Sequence, residues 1–251
     1  MRFDKVSPTA ALAPYIKYYV IAENAQAEQY TVFPSTSLVI GFQYSGSLAQ
    51  VKDAFVSPLS ISGITGLSNS FKVFRNSPDI GTVLVYFTET GLIHFTANPA
   101  HELFNQSVGI DYIFPLAKVR EAEERLALAA NDAERVAVMD RFFLSLLKEV
   151  VLDRLIVEAV RRIYAAKGVI KIKALQEELF ISQSPFEKRF RSLVGTSPKK
   201  FASIVRFNAV MGDLGKARSL TELCYEYGYF DQAHFIKDFK QFTGKTPEGF
   251  K

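Results

Sequence analysis

The sequence predicts an α+β protein of two domains, with a β-rich barrel or sandwich carrying small helices first and an all-α domain last. Three observations lead to this fold class. Short β-prone runs separated by Pro, Gly, Ser and Asn fill residues 1–113, a helical linker pattern fills 114–151, and a duplicated helical unit fills 152–251. We place the domain boundaries at these positions.

Apolar runs in the first domain predict its strands. The runs are residues 32–33, 38–44, 59–64, 71–74 and 82–87. Several are too apolar to alternate between an exposed and a buried face, so we expect burial on both faces. Turn residues at 45–46, 76–79 and 90–91 separate them.

A helical pattern follows in residues 115–164. One apolar-periodic segment includes Leu116, Val119 and 123–128, and a second covers 133–147, with Asn131 and Asp132 marking the break between them. No long heptad repeat is present. The pattern therefore predicts two helices between the domains.

The last hundred residues contain one pattern twice. The residues Phe186, Phe190, Gly195, Pro198 and Phe201 recur as Phe235, Phe239, Gly244, Pro247 and Phe250, about fifty positions later. Each copy has a short helix with an apolar stripe, a tight break and a second amphipathic helix, which is the helix-turn-helix arrangement. The second break holds one residue more than the first. The domain is thus predicted to hold two helix-turn-helix motifs joined by a long helix.

Local signals predict where these helices begin. Residues 219–222 form a capping box, and Asp231 can cap the helix that follows. Ser197 and Pro198 begin a connector that continues through 199–214. At about 1.5 Å per residue this connector spans roughly 25 Å. It can therefore hold the second helices of the two motifs about one turn of B-DNA apart, roughly 34 Å.

Charge is divided unevenly along the chain. Residues 151–251 carry 18 Lys and Arg against 11 Asp and Glu, a net charge of +7, whereas residues 1–150 carry 12 against 15, a net of −3. Counterion release favours a basic module on a polyanion. Double-stranded DNA is therefore the expected partner of the second domain.

The segment SLTELCYEYGYFDQAHFIKDFKQFTGKTPEGF, residues 219–250, resembles the DNA-binding domain of AraC-type transcription regulators, and the resemblance covers about 152–251. Its Gly-aromatic turn, Asp-Gln-x-His-Phe, Phe-Lys pair and Gly-x-x-Pro stand in family order. The first motif departs from the family. Phe180 occupies the usual Gly position, no Ser or Thr caps the first helix, and Pro185 lies early in the second helix.

The first domain also resembles a family domain. The segments FPSTSLVIGF, SPLSISGITG and VYFTETGLIHFTANPAHELFNQ are similar to the N-terminal sensor-like domain of one subgroup of AraC-type regulators. In this family, helices between the sensor domain and the DNA-binding domain commonly mediate dimerisation or transmit the ligand state. For this chain the alternative is a packing bridge without a signalling role.

The resemblance implies DNA recognition by the second helix of each motif. The implied base-reading positions are Ser184, Glu187, Lys188, Arg191, Ala233, His234, Lys237 and Lys240. The implied phosphate contacts are Lys199, Lys200, Lys245 and Thr246. For each cation the alternative is a solvated surface charge. Glu187 can instead pair with Lys188 or Arg191.

These observations predict a cytoplasmic, sequence-specific transcription regulator that contacts two adjacent major-groove segments. Its expected partners are double-stranded DNA and the transcription machinery, with control by an effector or partner at the first domain. A small-molecule effector and a homodimer both stay open. The alternative function is a small-molecule-binding protein whose helical half is a protein-interaction module.

Other classes of function lack sequence support. His94 and His101 are the histidines of the first domain, and no carboxylate or third His accompanies them at ligand spacing. Neither a nucleophile elbow nor a phosphate-binding glycine loop occurs. We therefore expect no catalytic residue, no metal and no cofactor. We also expect Cys224 to be a buried thiol, and neither export nor a membrane span.

Overall fold

The computed structural model describes residues 1–53, 55–215 and 219–250. Within these residues, ten strands are followed by eight α-helices, with short 3-10 helices at 92–94, 100–103, 110–112 and 248–250. The strands are β1 Arg2–Val6, β2 Ile16–Asn24, β3 Glu28–Val32, β4 Val39–Ser45, β5 Leu48–Lys52, β6 Phe55–Pro58, β7 Ser62–Thr65, β8 Lys72–Asn76, β9 Ile80–Phe87 and β10 Ser107–Gly109.

The strands form two antiparallel sheets. The larger has the order β1-β2-β9-β4-β7-β10, and the smaller has the order β3-β8-β5-β6. The sheets stay separate, so the fold is an open sandwich rather than a closed barrel. The predicted two-domain α+β fold is confirmed.

The predicted strands at 38–44, 71–74 and 82–87 correspond to β4, β8 and β9. The predicted strand at 32–33 is misplaced. Only Val32 lies in a strand, as the last residue of β3, and the strand residues before it are mostly polar. Of the run 59–64, only its end lies in β7. Apolar content misplaced both strands for different reasons. β3 is an edge strand with few apolar residues, whereas β7 pairs on both sides but begins with Ser62 and Gly63.

Two helices, α1 Leu116–Leu128 and α2 Asp132–Leu146, pack on the larger sheet. Asn131 caps α2, since its Oδ1 accepts a hydrogen bond from the Glu134 amide at 3.0 Å. The Phe142 ring lies 5.6 Å from Phe42 of β4, and Phe143 lies 5.6 Å from Phe87 of β9. The predicted linker helices therefore share the core of the sandwich.

The remaining helices form the second domain. They are α3 Arg154–Ala165, α4 Ile172–Glu178, α5 Gln183–Val194, α6 Pro198–Asp213, α7 Leu220–Glu226 and α8 Gln232–Thr243. One core joins α3, α4, α5 and the start of α6, and another joins the rest of α6 with α7 and α8. No helix of the described residues has both the length and the apolar character needed to cross a membrane.

The helix starts follow the predicted caps. Ser219 Oγ accepts from the backbone amide three residues on at 3.1 Å, and Asp231 accepts from the His234 amide at 2.7 Å. Ser197 Oγ accepts from the Lys200 amide at 3.3 Å, with Pro198 in the first turn. Four residues separate α4 from α5 and five separate α7 from α8, as the sequence predicted.

Phe180 is strained where α4 turns into α5. Its φ is +51°, like the +59° of Gly228 in the second motif, and its side chain is 97% exposed. A left-handed conformation costs a non-glycine residue about 1–2 kcal/mol, more than the extra chain entropy that glycine loses on folding. We expect Phe180→Gly to raise the free energy of unfolding by about 1 kcal/mol, measured by urea denaturation followed by circular dichroism.

The control is Phe230→Gly. Phe230 is also exposed, at 93%, and lies in the second break without a positive φ. This variant should gain no stability. Equal stability changes in the two variants would contradict the strain at position 180.

Candidate nucleic-acid interface

The two motifs repeat their aromatic support as well as their sequence. The ring centroids of Phe186 and Phe190 are 5.7 Å apart, and those of Phe235 and Phe239 are also 5.7 Å apart. All four rings are buried. Helices α5 and α8 are therefore held by the same internal contact in both motifs.

The Gly-x-[Ser/Thr]-Pro segments after α5 and α8 repeat too. Gly195 and Gly244 end these helices with left-handed φ values of +96° and +79°. Ser197 then caps α6, and Thr246 Oγ1 accepts from the Gly249 amide at 3.4 Å at the equivalent place. Only glycine adopts such φ values without strain, which explains its place in the repeat.

All eight predicted base-reading side chains lie on the outward side of α5 and α8, opposite the phenylalanines. Seven are exposed, namely Ser184, Lys188, Arg191, Ala233, His234, Lys237 and Lys240, and Glu187 is partly buried. We call these eight residues the groove face. Its contact with bases stays a prediction.

Charges on the groove face are only partly compensated. Glu187 accepts from Gln183 at 3.0 Å and lies 3.8 Å from the Arg191 guanidinium, so it pairs as the sequence allowed. Lys188, Lys237 and Lys240 form no ion pair with any carboxylate of the described residues. The groove face therefore keeps three free ammonium groups.

His234 is oriented by its neighbours. Its ring meets Tyr229 edge-on at 5.4 Å, and its Nε2 lies 3.7 Å from the Asp238 carboxylate. Asp238 also accepts from Arg206 of α6 at 3.1 Å. These contacts set the orientation of the His234 imidazole ring on the groove face.

Sequence reasoning missed a pair of anchoring residues. Arg189 of α5 donates to both Asp153 oxygens, at 2.8 and 2.6 Å, and so ties α5 to the start of α3. The repeat places Asp238 at the equivalent position of α8, where it ties α8 to α6 through Arg206. The sign of the ion pair is reversed. The sequence offset that aligns Phe190 with Phe239 also aligns Arg189 with Asp238, and so could have indicated that these two positions are equivalent.

The predicted phosphate contacts lie at two equivalent places. Lys199 and Lys200 are in the first turn of α6, and Lys245 and Thr246 precede the last 3-10 helix. Lys199 and Lys245 are exposed, whereas Lys200 and Thr246 are partly buried. The Thr246 hydroxyl is already used as a cap acceptor, so it can still donate. Contact with phosphate stays a prediction for all four.

The first domain meets α5 and α8 at their C-terminal ends. A Cβ on Gly195 would lie 3.2 Å from the Ala100 carbonyl, and one on Gly244 would lie 2.8 Å from the Phe71 ring. The groove face stays open to solvent. The first domain therefore contacts both helices without covering the side chains predicted to meet DNA.

A cavity of about 480 Å³ lies between the two sheets of the first domain. Two chain segments that line it also reach the second domain. We call residues 32–37 and 66–72 the first and second coupling segments. The cavity therefore shares its wall with the contact between the domains.

The remaining candidate side chains are His94, His101 and Cys224. No three His, Cys, Asp or Glu side chains among residues 1–53, 55–215 and 219–250 are grouped to hold an ion. His94 is buried with its ring 4.2 Å from Tyr15, and burial lowers its pKa. His101 is exposed. Cys224 is buried as predicted, and burial raises the pKa of its thiol.

Comparisons with known proteins match each domain separately. Residues 175–251 match a family described as helix-turn-helix domain, and residues 4–109 match a domain of unknown function, DUF6597. No curated protein matches the chain at a significant level.

Solved structures that this chain is similar to include ToxT from Vibrio cholerae, 10% identical with a TM-score of 0.48 over 92% of this chain and 96% of that chain. The xylose-binding transcription activator xylR is 19% identical with a TM-score of 0.35, over 46% of this chain and 38% of that chain. The AraC-like transcriptional activator CuxR is 11% identical with a TM-score of 0.27, over 95% and 73%.

The fold and the domain match define a helix-turn-helix protein with a sheet-rich first domain. Its helix-turn-helix domain is of the AraC type, with two motifs joined by α6, so the resemblance stated from residues 219–250 is confirmed.

Proposed function

We propose that the protein is a sequence-specific transcription regulator that contacts two adjacent major-groove segments of double-stranded DNA and acts on the transcription machinery. Residues 152–251 bind DNA, residues 1–113 receive the controlling signal, and 114–151 join the two. One observation carries the proposal: two equivalent helices, α5 and α8, bury the same phenylalanine pair and expose a row of cations on the other side.

The connector supports simultaneous contact by both motifs. Helix α6 has 16 residues, which corresponds to about 24 Å at 1.5 Å per residue. Recognition helices that bind successive major-groove segments lie roughly 34 Å apart. A rigid helix of this length accounts for most of that separation.

Selection of bound sequences from a random DNA pool tests the proposed function. We expect a bipartite site whose half-sites lie about ten base pairs apart, centre to centre. Selection of a single short site would leave one motif without a DNA-binding role. Failure to enrich any sequence would contradict sequence-specific binding.

Lys237→Ala is expected to weaken binding to the selected site by about 1–3 kcal/mol and to relax base preference at one position. Lys237 is exposed on α8 and has no acidic partner within the described part of the chain. Fluorescence anisotropy with the selected site and with random duplex measures both effects. An equal loss on the two duplexes would make Lys237 a phosphate contact.

Lys52→Ala is the matched control. Lys52 is an exposed lysine at the end of β5, in the smaller sheet of the first domain. Its loss removes the same charge from outside the proposed interface. A loss of affinity equal to that of Lys237→Ala would argue for a nonspecific effect of net charge.

The proposed control by the first domain is supported by the first coupling segment. Phe33 lines the cavity, and its ring lies 6.4 Å from Phe207 of α6 and 5.5 Å from Phe250. Ser37 lines the cavity too and accepts from Lys17, which pairs with Glu89 at 2.6 Å. Glu89 in turn accepts from Tyr164 of α3.

The second coupling segment contacts both motifs. Leu67 belongs to the core of the first motif, and the Asn69 carbonyl accepts from Gln241 of α8 at 3.0 Å. Phe71 packs on Gly244 at the end of α8. A ligand that displaced the cavity wall would therefore act on α5 and α8 through packed contacts.

A further inference from the structure

Two side chains that line the cavity are charged at neutral pH, and only one of them is compensated. Glu23 accepts from the Tyr44 hydroxyl at 2.7 Å and from Arg2 at 3.1 Å. These hydrogen bonds hold the pKa of Glu23 below its usual range. The negative charge of the cavity is thus already neutralised.

Lys72 is the uncompensated one. It is 9% exposed at the start of β8, and its Nζ donates to the Gln106 carbonyl and to Ser107 Oγ, both at 2.9 Å. It forms no ion pair with a described carboxylate, and burial lowers its pKa to about 8. An ammonium group has three N–H donors, so one remains for a ligand.

A buried charge without a counter-ion is costly, and such a group on the wall of a cavity is a candidate for binding a ligand of opposite charge. The rest of the wall is largely apolar, with Val39, Leu48, Ile64, Phe74, Ile80 and Leu84 among its residues. Small-molecule sites have roughly 300–1,000 Å³, and this cavity of about 480 Å³ lies within that range. The site therefore combines one available cation with an apolar enclosure.

We propose that this cavity binds a small amphipathic carboxylate, with the apolar body between the two sheets and the carboxylate on Lys72 Nζ. The proposal rests on the proposed control of the protein at its first domain and names the ligand class. Lys72 ends the second coupling segment, so the anion is held at the residue that follows Phe71.

Isothermal titration calorimetry on the full chain, in the absence of DNA, tests the ligand class. The probes are octanoate, octan-1-ol and octyltrimethylammonium, which share an alkyl chain and differ in head-group charge. We expect octanoate to bind at least about 10-fold more tightly than either other probe, since a charge-assisted hydrogen bond contributes that much or more. Equal or reversed preference, or no binding of octanoate, would overturn the proposal.

Variants of Lys72 test the residue. We expect Lys72→Met to weaken octanoate binding by about 10- to 100-fold while octan-1-ol binding is retained. Lys72→Gln, which keeps a donor for Gln106 and Ser107, should also lose the octanoate preference. The control Lys52→Met removes an exposed lysine of the same domain and should change neither affinity.

Circular dichroism checks that each variant is folded. An octanoate affinity unchanged in a folded Lys72 variant would overturn the proposal. If neither variant folds, the preference among the three probes in the unaltered protein decides. Because DNA is absent, failure of ligand binding leaves the DNA selection experiment unaffected, and each proposal can fail separately.

Discussion

Replacing Lys188, Lys237 and Lys240 together by alanine is expected to reduce DNA affinity by about 3 kcal/mol or more, at least about 100-fold. These three lysines are the groove-face cations without an acidic partner in the described residues, and they belong to both motifs. Each cation that meets the duplex releases counterions. The slope of log affinity against log salt should therefore become shallower by about 2 to 3.

The matched variant places arginine at the same three positions. It keeps the charge, so its salt slope and its affinity for random duplex should stay close to those of the unaltered protein. Its preference among selected sites should change, because a guanidinium and an ammonium present different donors to base edges. An unchanged salt slope in the alanine variant would place the DNA interface elsewhere on the protein.

The helical domain could be predicted because its signals are local and occur twice. Ser197, Ser219 and Asp231 each specify a helix start within a few residues, and the structure uses all three as caps. The phenylalanine repeat then fixes which side of α5 and α8 is buried. Exposure of the groove face follows from that periodicity.

The sandwich was less predictable because strand pairing joins distant residues. The nine-residue strand β2, Ile16–Asn24, lies between β1 and β9 in the larger sheet, but the sequence predicted no strand there. Lys72 shows the same problem within a correctly placed strand. Apolar content favours Phe71 and Val73 as inward residues, yet Lys72 and Phe74 are the buried ones.

The contact between the domains had no sequence signal either. Gly195 and Gly244 were recognised as parts of the repeat, but not as places where Ala100 and Phe71 approach. Such contacts depend on the shapes of two folded domains, which no local pattern encodes. The same holds for the Arg206–Asp238 pair, which requires α6 to pack against α8.

Phe239→Ala is expected to lower the free energy of unfolding by about 3–5 kcal/mol. The Phe239 ring is buried, with centroids of Phe235, Phe207 and Phe250 at 5.7, 6.0 and 5.5 Å. Removal of the ring leaves a cavity because the surrounding side chains relax only in part. Urea denaturation followed by circular dichroism measures the loss, and the exposed Phe230→Ala, expected within about 0.5 kcal/mol of the unaltered protein, is the control.

The same variant also tests whether the two motifs are independent. The first motif has its own core around Phe186 and Phe190, separate from the core that holds Phe239. In a footprinting experiment under native conditions, this variant should therefore lose protection of the half-site bound by the second motif and keep protection of the other half-site. Loss of both half-sites at once would mean that the motifs fold as one unit, and a destabilisation below about 1 kcal/mol would contradict the role of Phe239 in the core.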